Sequence, residues 1–244
     1  MLQPLQSHEQ RNLLLWGESI RENPRTILLS IPIFLFGIFY YTLIKDDKGL
    51  AGSYGHLGIA FKNYHKHYWQ QPFLLQIAYK LIDNASHKSQ GEGLVSTILH
   101  CGQVAKDLQN YSLAEVKFKQ ALFQAHKLKQ YVQLGYILSH LASVHVAQQR
   151  FDVAFRELNQ SLKILQSGIK QKPTSLYYQI WLSHGELTMS EYYLAIRDYK
   201  QAKKYAQQAL NRSQKHQLKF RQQEAHQLLN RIIETESQLM NLPS

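Results

Sequence analysis

One segment near the start of the chain is apolar on every face, whereas most of the remaining chain mixes apolar and polar residues with the period of a helix. From Ile27 to Ile44 the sequence reads ILLSIPIFLFGIFYYTLI, a run without any charged residue. Eighteen helical residues span about 27 Å, close to the thickness of a bilayer's hydrocarbon core. The pattern predicts a transmembrane helix over residues 25–45, in contact with lipid through residues 27–44.

The residues on either side of this segment are charged, as expected for a span. Arg21 and Arg25 precede it, and Lys45 and Lys48 follow it. Two alternatives stay open: a signal peptide cleaved near Gly49-Leu50-Ala51, and a helix buried in a protein core. The apolar run is longer than a usual signal peptide, and a buried helix would need protein on all sides.

The first 24 residues are predicted to be a tail that contains a short amphipathic helix. Leu13, Leu14, Leu15 and Trp16 supply its apolar side, and Asn23-Pro24 would end it. Three Arg before the span and three Lys soon after it nearly balance, so the charge rule for membrane orientation hardly decides which side the tail occupies. The short tail is expected in the matrix or cytoplasm, with the larger domain across the membrane.

Beyond residue 52, three segments align with one another at residues 110–122, 150–162 and 198–210. Each has an aromatic residue, a small residue three positions later, an apolar residue four positions after that, and then a small residue followed by Leu. The residues at the first three of these positions are Tyr111, Phe151 and Tyr199, then Ala114, Ala154 and Ala202, then Phe118, Leu158 and Ala206. This spacing predicts a helix that recurs three times.

A partner helix must precede each copy, and two helices can approach closely only where their side chains are small. Twelve residues before each recurring Ala the chain has Gly102, Ala142 and Ser190, all small. Three positions further on stand Ala105, His145 and Tyr193, and only the Tyr fits the expected pattern well. The chain is therefore predicted to form antiparallel helix pairs that cross at these small residues.

These offsets of small and aromatic residues resemble the tetratricopeptide-repeat (TPR) superfamily. The resemblance covers residues 95–213 as three repeats, 40 and 48 residues apart where the common repeat has about 34, so longer helices are expected. It implies an all-α protein, an α-solenoid of antiparallel helix pairs. Residues 46–94 are predicted to form a linker and a degenerate first pair, and residues 214–244 a capping helix and C-terminal tail.

In this superfamily the first helix of each pair lines a concave groove that holds a partner peptide. The resemblance places twelve residues on that wall: Ser96, Leu99, His100, Gln103, Tyr136, Ser139, His140, Ser143, His184, Leu187, Thr188 and Glu191. Such a polar and aromatic wall with three histidines suits hydrogen bonding to an extended segment. The alternative is that these are ordinary half-exposed helix residues.

The formal charge of +11 comes from Lys and Arg spread along the predicted helices, not from a basic run. This distribution argues against a nucleic-acid partner and fits acidic protein segments or anionic head groups. Cys101 is the single cysteine, so no internal disulfide and no cysteine-based metal cage can form. No catalytic, cofactor-binding or metal-binding motif is present, and we expect no cofactor and no enzymatic activity.

The layout of tail, span and long repeats resembles mitochondrial inner-membrane adaptors. It implies a TPR domain in the intermembrane space that assists complex assembly or protein quality control by binding other polypeptides. Three alternatives are a bacterial inner-membrane protein whose periplasmic repeats act with secretion or envelope machinery, a fixed structural subunit of a large membrane complex, and an import receptor. In this superfamily, a clamp of Lys, Arg and Asn holds the C-terminal carboxylate of a chaperone. The predicted groove positions of this sequence lack such a clamp, which argues against an import receptor.

Overall fold

The computed structural model describes residues 27–67 and 70–240, and the regular structure in these two ranges is entirely helical. The N-terminal tail predicted over residues 1–24 lies outside them. Ten helices follow one another within the two ranges: α1 (Ile27–Leu43), α2 (Asp47–His67), α3 (Pro72–Lys88), α4 (Gly91–Asp107), α5 (Tyr111–Lys127), α6 (Tyr131–Ala147), α7 (Phe151–Gln171), α8 (Leu176–Ala195), α9 (Tyr199–Lys215) and α10 (Lys219–Met240). The helices of the repeats have 17 residues or more, in line with the long repeat.

The turns between most consecutive helices are three residues long and share one backbone geometry. At each, a non-glycine residue adopts a left-handed conformation, with φ between 55° and 63°: Lys45, Gln109, Lys129, Gln149, Arg197 and Gln217. The next amide then donates to a carbonyl five residues back, as Arg150 N does to His145 O at 2.8 Å. This is a Schellman cap, which satisfies carbonyls at the end of the helix and reverses the chain.

The chain divides into two compact units, up to residue 124 and from residue 125. In the second unit, α6–α7 and α8–α9 are antiparallel pairs joined by hydrogen bonds from small serines. Ser161 Oγ donates to the Gly135 carbonyl at 2.6 Å, and Ser190 Oγ donates to the Ala202 carbonyl at 2.7 Å. Bonds of this kind require the two backbones to lie close together, which only small side chains allow.

In the first unit, glycines provide the same close approach. A Cβ atom on Gly58 of α2 would lie 2.9 Å from the Ala78 carbonyl oxygen of α3, and one on Gly102 of α4 would lie 2.5 Å from Cε1 of Phe118 in α5. Neither position has room for a side chain unless its neighbour moves. The structure thus shows a further antiparallel pair, α2–α3, ahead of α4–α5.

The predicted small-residue crossings are confirmed. Ala114, Ala154 and Ala202 are fully buried, and their partners twelve residues earlier, Gly102, Ala142 and Ser190, are buried as well. The Ser190–Ala202 hydrogen bond joins one such pair directly. All three copies therefore bury the small residues that the packing requirement demands, and the hydrogen bond shows the close approach in the third copy.

The last helix packs its apolar side against the preceding pair. Ala225, Leu228 and Ile232 of α10 form one buried cluster with alanines of α9 and with Leu187 of α8. On the opposite side Ile233 is half exposed among mostly polar neighbours. This arrangement has the features expected of a capping helix.

The predicted transmembrane helix is not found among the described residues, and the predicted single-pass localisation, in the mitochondrial or alternatively the bacterial inner membrane, is wrong. Within residues 27–67 and 70–240, no helix combines the length and apolarity needed to cross a bilayer. α1 ends at Leu43 after 17 residues, and the chain reverses at Lys45. Lipid contact through residues 27–44 has no support in the structure.

The side chains of α1 explain why its sequence suggested a span. One side of the helix packs on protein: Ser30, Phe34 and Tyr41 are at most 1% exposed, and the Phe34 ring stacks on His56 of α2 with centroids 5.4 Å apart. The other side keeps large apolar side chains half exposed: Leu28, Leu29, Leu35, Phe36, Phe39 and Leu43. Because both sides of α1 are apolar, its sequence does not show which side packs on protein.

Candidate functional site

The second unit brings the predicted wall residues of α6 and α8 together around a group of rings. The imidazoles of His140 and His184 stack with centroids 3.9 Å apart and planes 27° from parallel. The Tyr136 ring meets both of them edge-on, at 4.6 Å from His140 and 5.5 Å from His184. Tyr136 and His140 are 8% and 5% exposed, so they belong to the packing between the two helices more than to a free surface.

The hydroxyl groups of the predicted wall residues donate hydrogen bonds to carbonyls of their own helices. Ser139 Oγ donates to the Tyr136 carbonyl at 2.6 Å, Ser143 Oγ to the His140 carbonyl at 2.7 Å, and Thr188 Oγ1 to the His184 carbonyl at 3.0 Å. All three side chains are buried. They donate within their own helices and do not form an open row of hydrogen-bonding groups.

The two remaining wall residues of α8 differ in environment. Leu187 is 6% exposed and belongs to the apolar cluster with α9 and α10. Glu191 is half-buried. Of these two, only Glu191 retains a polar group near the surface.

The predicted wall residues of the first unit lie together on α4. Leu99 is buried, while Ser96 and His100 are half-buried. The Oε1 atom of Gln103 accepts a 2.7 Å hydrogen bond from Lys62 Nζ of α2 and lies 3.0 Å from His100 Nδ1. Lys62 was not among the predicted residues, because the first pair could not be aligned in register with the others.

Three aromatic residues that are not among the predicted wall residues lie next to the rings of Tyr136, His140 and His184. Tyr177, Tyr178 and Trp181 occupy the first turns of α8, and the Trp181 ring stacks on Tyr136 with centroids 5.2 Å apart and planes 10° from parallel. Tyr177 is 65% exposed. The signal was available in the sequence, because Tyr177 and Trp181 precede His184 by seven and three positions, the spacing of one helix face.

An ion pair between the half-buried Arg212 of α9 and the buried Glu186 of α8 joins these two helices. The Arg212 guanidinium donates to both carboxylate oxygens of Glu186, at 2.8 and 3.0 Å, and to Gln179 Oε1 at 3.0 Å. Burial raises the pKa of Glu186 above its usual 4.5, and the hydrogen bonds and charge of Arg212 offset only part of that rise.

A second buried polar pair, between α6 and α7, explains why His145 departed from the repeat pattern. Its Nδ1 atom lies 2.7 Å from Glu157 Oε2, twelve residues further along the chain. In the next pair the equivalent positions carry Tyr193 and Tyr205, whose rings stack 5.6 Å apart. One crossing position therefore accepts either a polar pair or an aromatic pair.

In the first unit, Lys117 Nζ of α5 donates to Asp83 Oδ1 of α3 at 3.1 Å, beside the Cys101 thiol of α4. Burial raises the pKa of Cys101 from 9.0 to about 12, so the group stays a thiol near neutral pH. The Cys101 side chain is completely buried. In the described ranges, no three His, Cys, Asp or Glu side chains lie close enough together to hold a metal ion.

Comparison with solved structures identifies the class of fold. BtubC (BKLC) from P. vanneervenii is 11% identical, with a TM-score of 0.52 over 96% of this chain and 94% of that one. A single-residue variant of a Podosopora anserina putative kinesin light chain, which has nearly identical TPR-like repeats, is 10% identical, with a TM-score of 0.54 over 88% of this chain and 99% of that one. The fold is that of TPR-like repeat proteins, as the repeat pattern predicted.

No protein-family model matches the chain, and no curated protein matches it either. At these low identities, structural similarity shows the fold alone and transfers no partner. The comparisons do not show the predicted resemblance to mitochondrial adaptors. Function therefore has to be inferred from the surfaces of the molecule itself.

Proposed function

We propose that the protein is a non-catalytic scaffold that binds another polypeptide, and that the face formed by α6 and α8 makes the contact. Stacked helix pairs present extended surfaces that suit the binding of proteins, which supports a scaffold. The residues at the start of α8 carry the proposal: Tyr177 is 65% exposed and Leu176 beside it is 52% exposed. Exposed aromatic side chains on a rigid surface are typical of protein interfaces.

The predicted wall then has two layers. The residues deeper in the α6–α8 contact, among them Tyr136, His140 and Thr188, support the surface, while the rings of α8 meet the partner. Since the supporting residues are held by stacking and by hydrogen bonds to their own helices, the surface is formed before the partner arrives. Preorganisation of this kind lowers the entropic cost of binding.

Site-specific photo-crosslinking tests this proposal. A photoreactive phenylalanine derivative at Leu176 places the probe beside the rings. The same derivative at Tyr131, which is 60% exposed and lies about 140° around α6 from Tyr136, outside the proposed face, serves as the control. We expect defined polypeptide adducts from position 176, competed by excess unlabelled protein, and few from position 131. Equal adducts at both positions, or none at position 176, would contradict the assignment of this face.

Identification of the adducts distinguishes two kinds of scaffold. Several different partners captured through position 176 would indicate an adaptor with changing clients. One partner set in constant stoichiometry would instead indicate a fixed structural subunit, and the adaptor interpretation would then be abandoned.

A further inference from the structure

Three rings form a continuous ridge on one side of α8. Tyr177 and Tyr178 precede Trp181 by four and three positions, so all three lie on the same helix face. Their ring centroids are 6.4 and 5.5 Å from that of Trp181, with tilted planes. We call these three residues the aromatic ridge.

Contacts with α6, with α9 and with the turn before α8 hold the aromatic ridge in place. Tyr136 of α6, 8% exposed, stacks in parallel on Trp181. Gln179, in the middle of the ridge sequence but 4% exposed, accepts from Arg212 and donates to the Pro173 carbonyl at 3.1 Å. The first turns of α8 are thereby tied both to α9 and to the turn that precedes them, so the rings keep their spacing without a ligand.

The two helices that carry the ridge and its support offer few charges to a ligand. From residue 125 onward the chain has sixteen Lys and Arg against eight Asp and Glu, yet α6 (Tyr131–Ala147) and α8 (Leu176–Ala195) contain no Lys or Arg. The charge of Glu186 is matched by Arg212, which leaves Glu191 as the one other acidic residue of these two helices. The nearest cation along the chain, the exposed Lys172, precedes α8, so an acidic segment would find its counter-ions beside the rings and not on them.

A proline-rich segment in the polyproline II conformation has the complementary chemistry. It is extended and uncharged, its rings pack on aromatic side chains, and it loses little conformational entropy on binding because it is already ordered. Its prolines offer carbonyl acceptors and no N–H donors, while the ridge carries one indole and two phenol donors.

We propose that the aromatic ridge binds a proline-rich segment of a partner protein in the polyproline II conformation. This inference rests on the proposed function, because it names the chemistry of the segment that would lie on the α6–α8 face. The exposed Tyr177 and the half-buried Trp181 receive the prolines, and Tyr136 supports them.

Isothermal titration calorimetry on the full chain with a ten-residue oligoproline tests the inference. We expect binding that weakens at least tenfold in Tyr177→Ala, because stacking area is lost from the most exposed ring, and that changes less than threefold in Tyr177→Phe, which keeps the ring. Tyr131→Ala is the matched control, since it removes an equally exposed tyrosine that lies outside the ridge, and it should bind as the unsubstituted chain does. Circular dichroism verifies that each variant remains helical.

Length-matched glycine–serine and oligoglutamate peptides complete the titration. Neither should bind in a way that depends on Tyr177. The inference is overturned if oligoproline shows no binding at millimolar concentration, if Tyr177→Ala and Tyr131→Ala bind it equally, or if oligoglutamate binds through Tyr177. Adducts at position 176 with a negative oligoproline titration would overturn the proline preference alone, whereas an absence of adducts would overturn the proposed function.

Discussion

The Phe118 ring of α5 occupies the space that a side chain on Gly102 of α4 would need. A Cβ atom at position 102 would lie 2.5 and 2.6 Å from two carbons of that ring, which is fully buried. The ring is large and enclosed, so it cannot swing aside as the end of a flexible side chain could. Glycine at this position is a requirement of packing, since the surrounding backbone is ordinary helix.

Gly102→Ala is therefore expected to destabilise the protein by about 1–3 kcal/mol, the usual cost of overpacking a core. Gly93→Ala is the matched control in the same helix, because the nearest atoms lie 4.0 Å from its added Cβ. The control should be neutral or slightly stabilising, since alanine favours helix. Urea unfolding followed by circular dichroism measures both, and equal midpoints for the two variants would contradict the close crossing.

The left-handed turn residues predict substitutions that stabilise the fold. A non-glycine residue in this conformation costs about 1 kcal/mol relative to glycine, and Gln149 and Gln217 have φ of 59° and 55°. Gln149→Gly and Gln217→Gly should each raise the free energy of unfolding by roughly 0.5–1 kcal/mol. Thermal unfolding checks this, with Gln208→Gly in the middle of α9 as the control that should lower the melting temperature.

The Glu186–Arg212 pair predicts an asymmetric response to substitution. Arg212→Met leaves a buried carboxylate without its cation and should cost about 3 kcal/mol. The double variant Glu186→Gln/Arg212→Met should be more stable than Arg212→Met alone, because the buried charge is gone. A double-mutant cycle by urea unfolding measures the coupling, and additive effects of the two substitutions would disprove it.

The same pair predicts how stability depends on pH. Because the pKa of Glu186 is raised on folding, the folded state holds this proton to a higher pH than the unfolded state does. Its contribution to stability is therefore most favourable below about pH 4.5 and falls as the pH rises through the folded-state pKa. Relative to the unsubstituted chain, Glu186→Gln should gain stability as the pH is raised from acid to neutral, and an unchanged difference would contradict the assignment.

The Cys101 thiol is expected to resist modification while the protein is folded. A rise of its pKa from 9.0 to about 12 lowers the thiolate fraction at pH 8 by roughly a thousandfold. Labelling with a disulfide reagent should be slow in buffer and rapid in concentrated urea, with Cys101→Ala as the blank. Rapid stoichiometric labelling in buffer would show that α4 is not packed as described.

The helix-pair fold could be predicted because close packing imposes a strict rule on residue size. Ala154 and Ala202 were identifiable from spacing alone, since each needs a small residue twelve positions earlier. The turns could not be predicted in the same way. Gln, Lys and Arg are not typical of left-handed positions, and their conformation follows from the helices that they connect.

The transmembrane prediction was wrong, and several of the predicted groove residues are buried in the structure, for a common reason. Apolar content does not reveal which side of a helix protein covers, so Phe34 and Phe36 look alike in sequence although one is buried and the other is half exposed. Similarly, the repeat alignment assigned to the groove positions such as Ser139, which is buried in helix packing. The alignment passed over Tyr177, which lies in the first turn of α8, outside the offsets that it used.

The three-residue turns limit how this architecture can vary. Every residue of such a turn belongs to the helix cap. An insertion would therefore disturb both the cap and the crossing of the next two helices. From α4 onward the segment between α7 and α8, residues 172–175, is the exception, although Gln179 holds the Pro173 carbonyl there. Growth of the helix stack during evolution, or by protein engineering, would therefore proceed by duplicating whole helix pairs, with loop grafting in the repeats confined to that single junction.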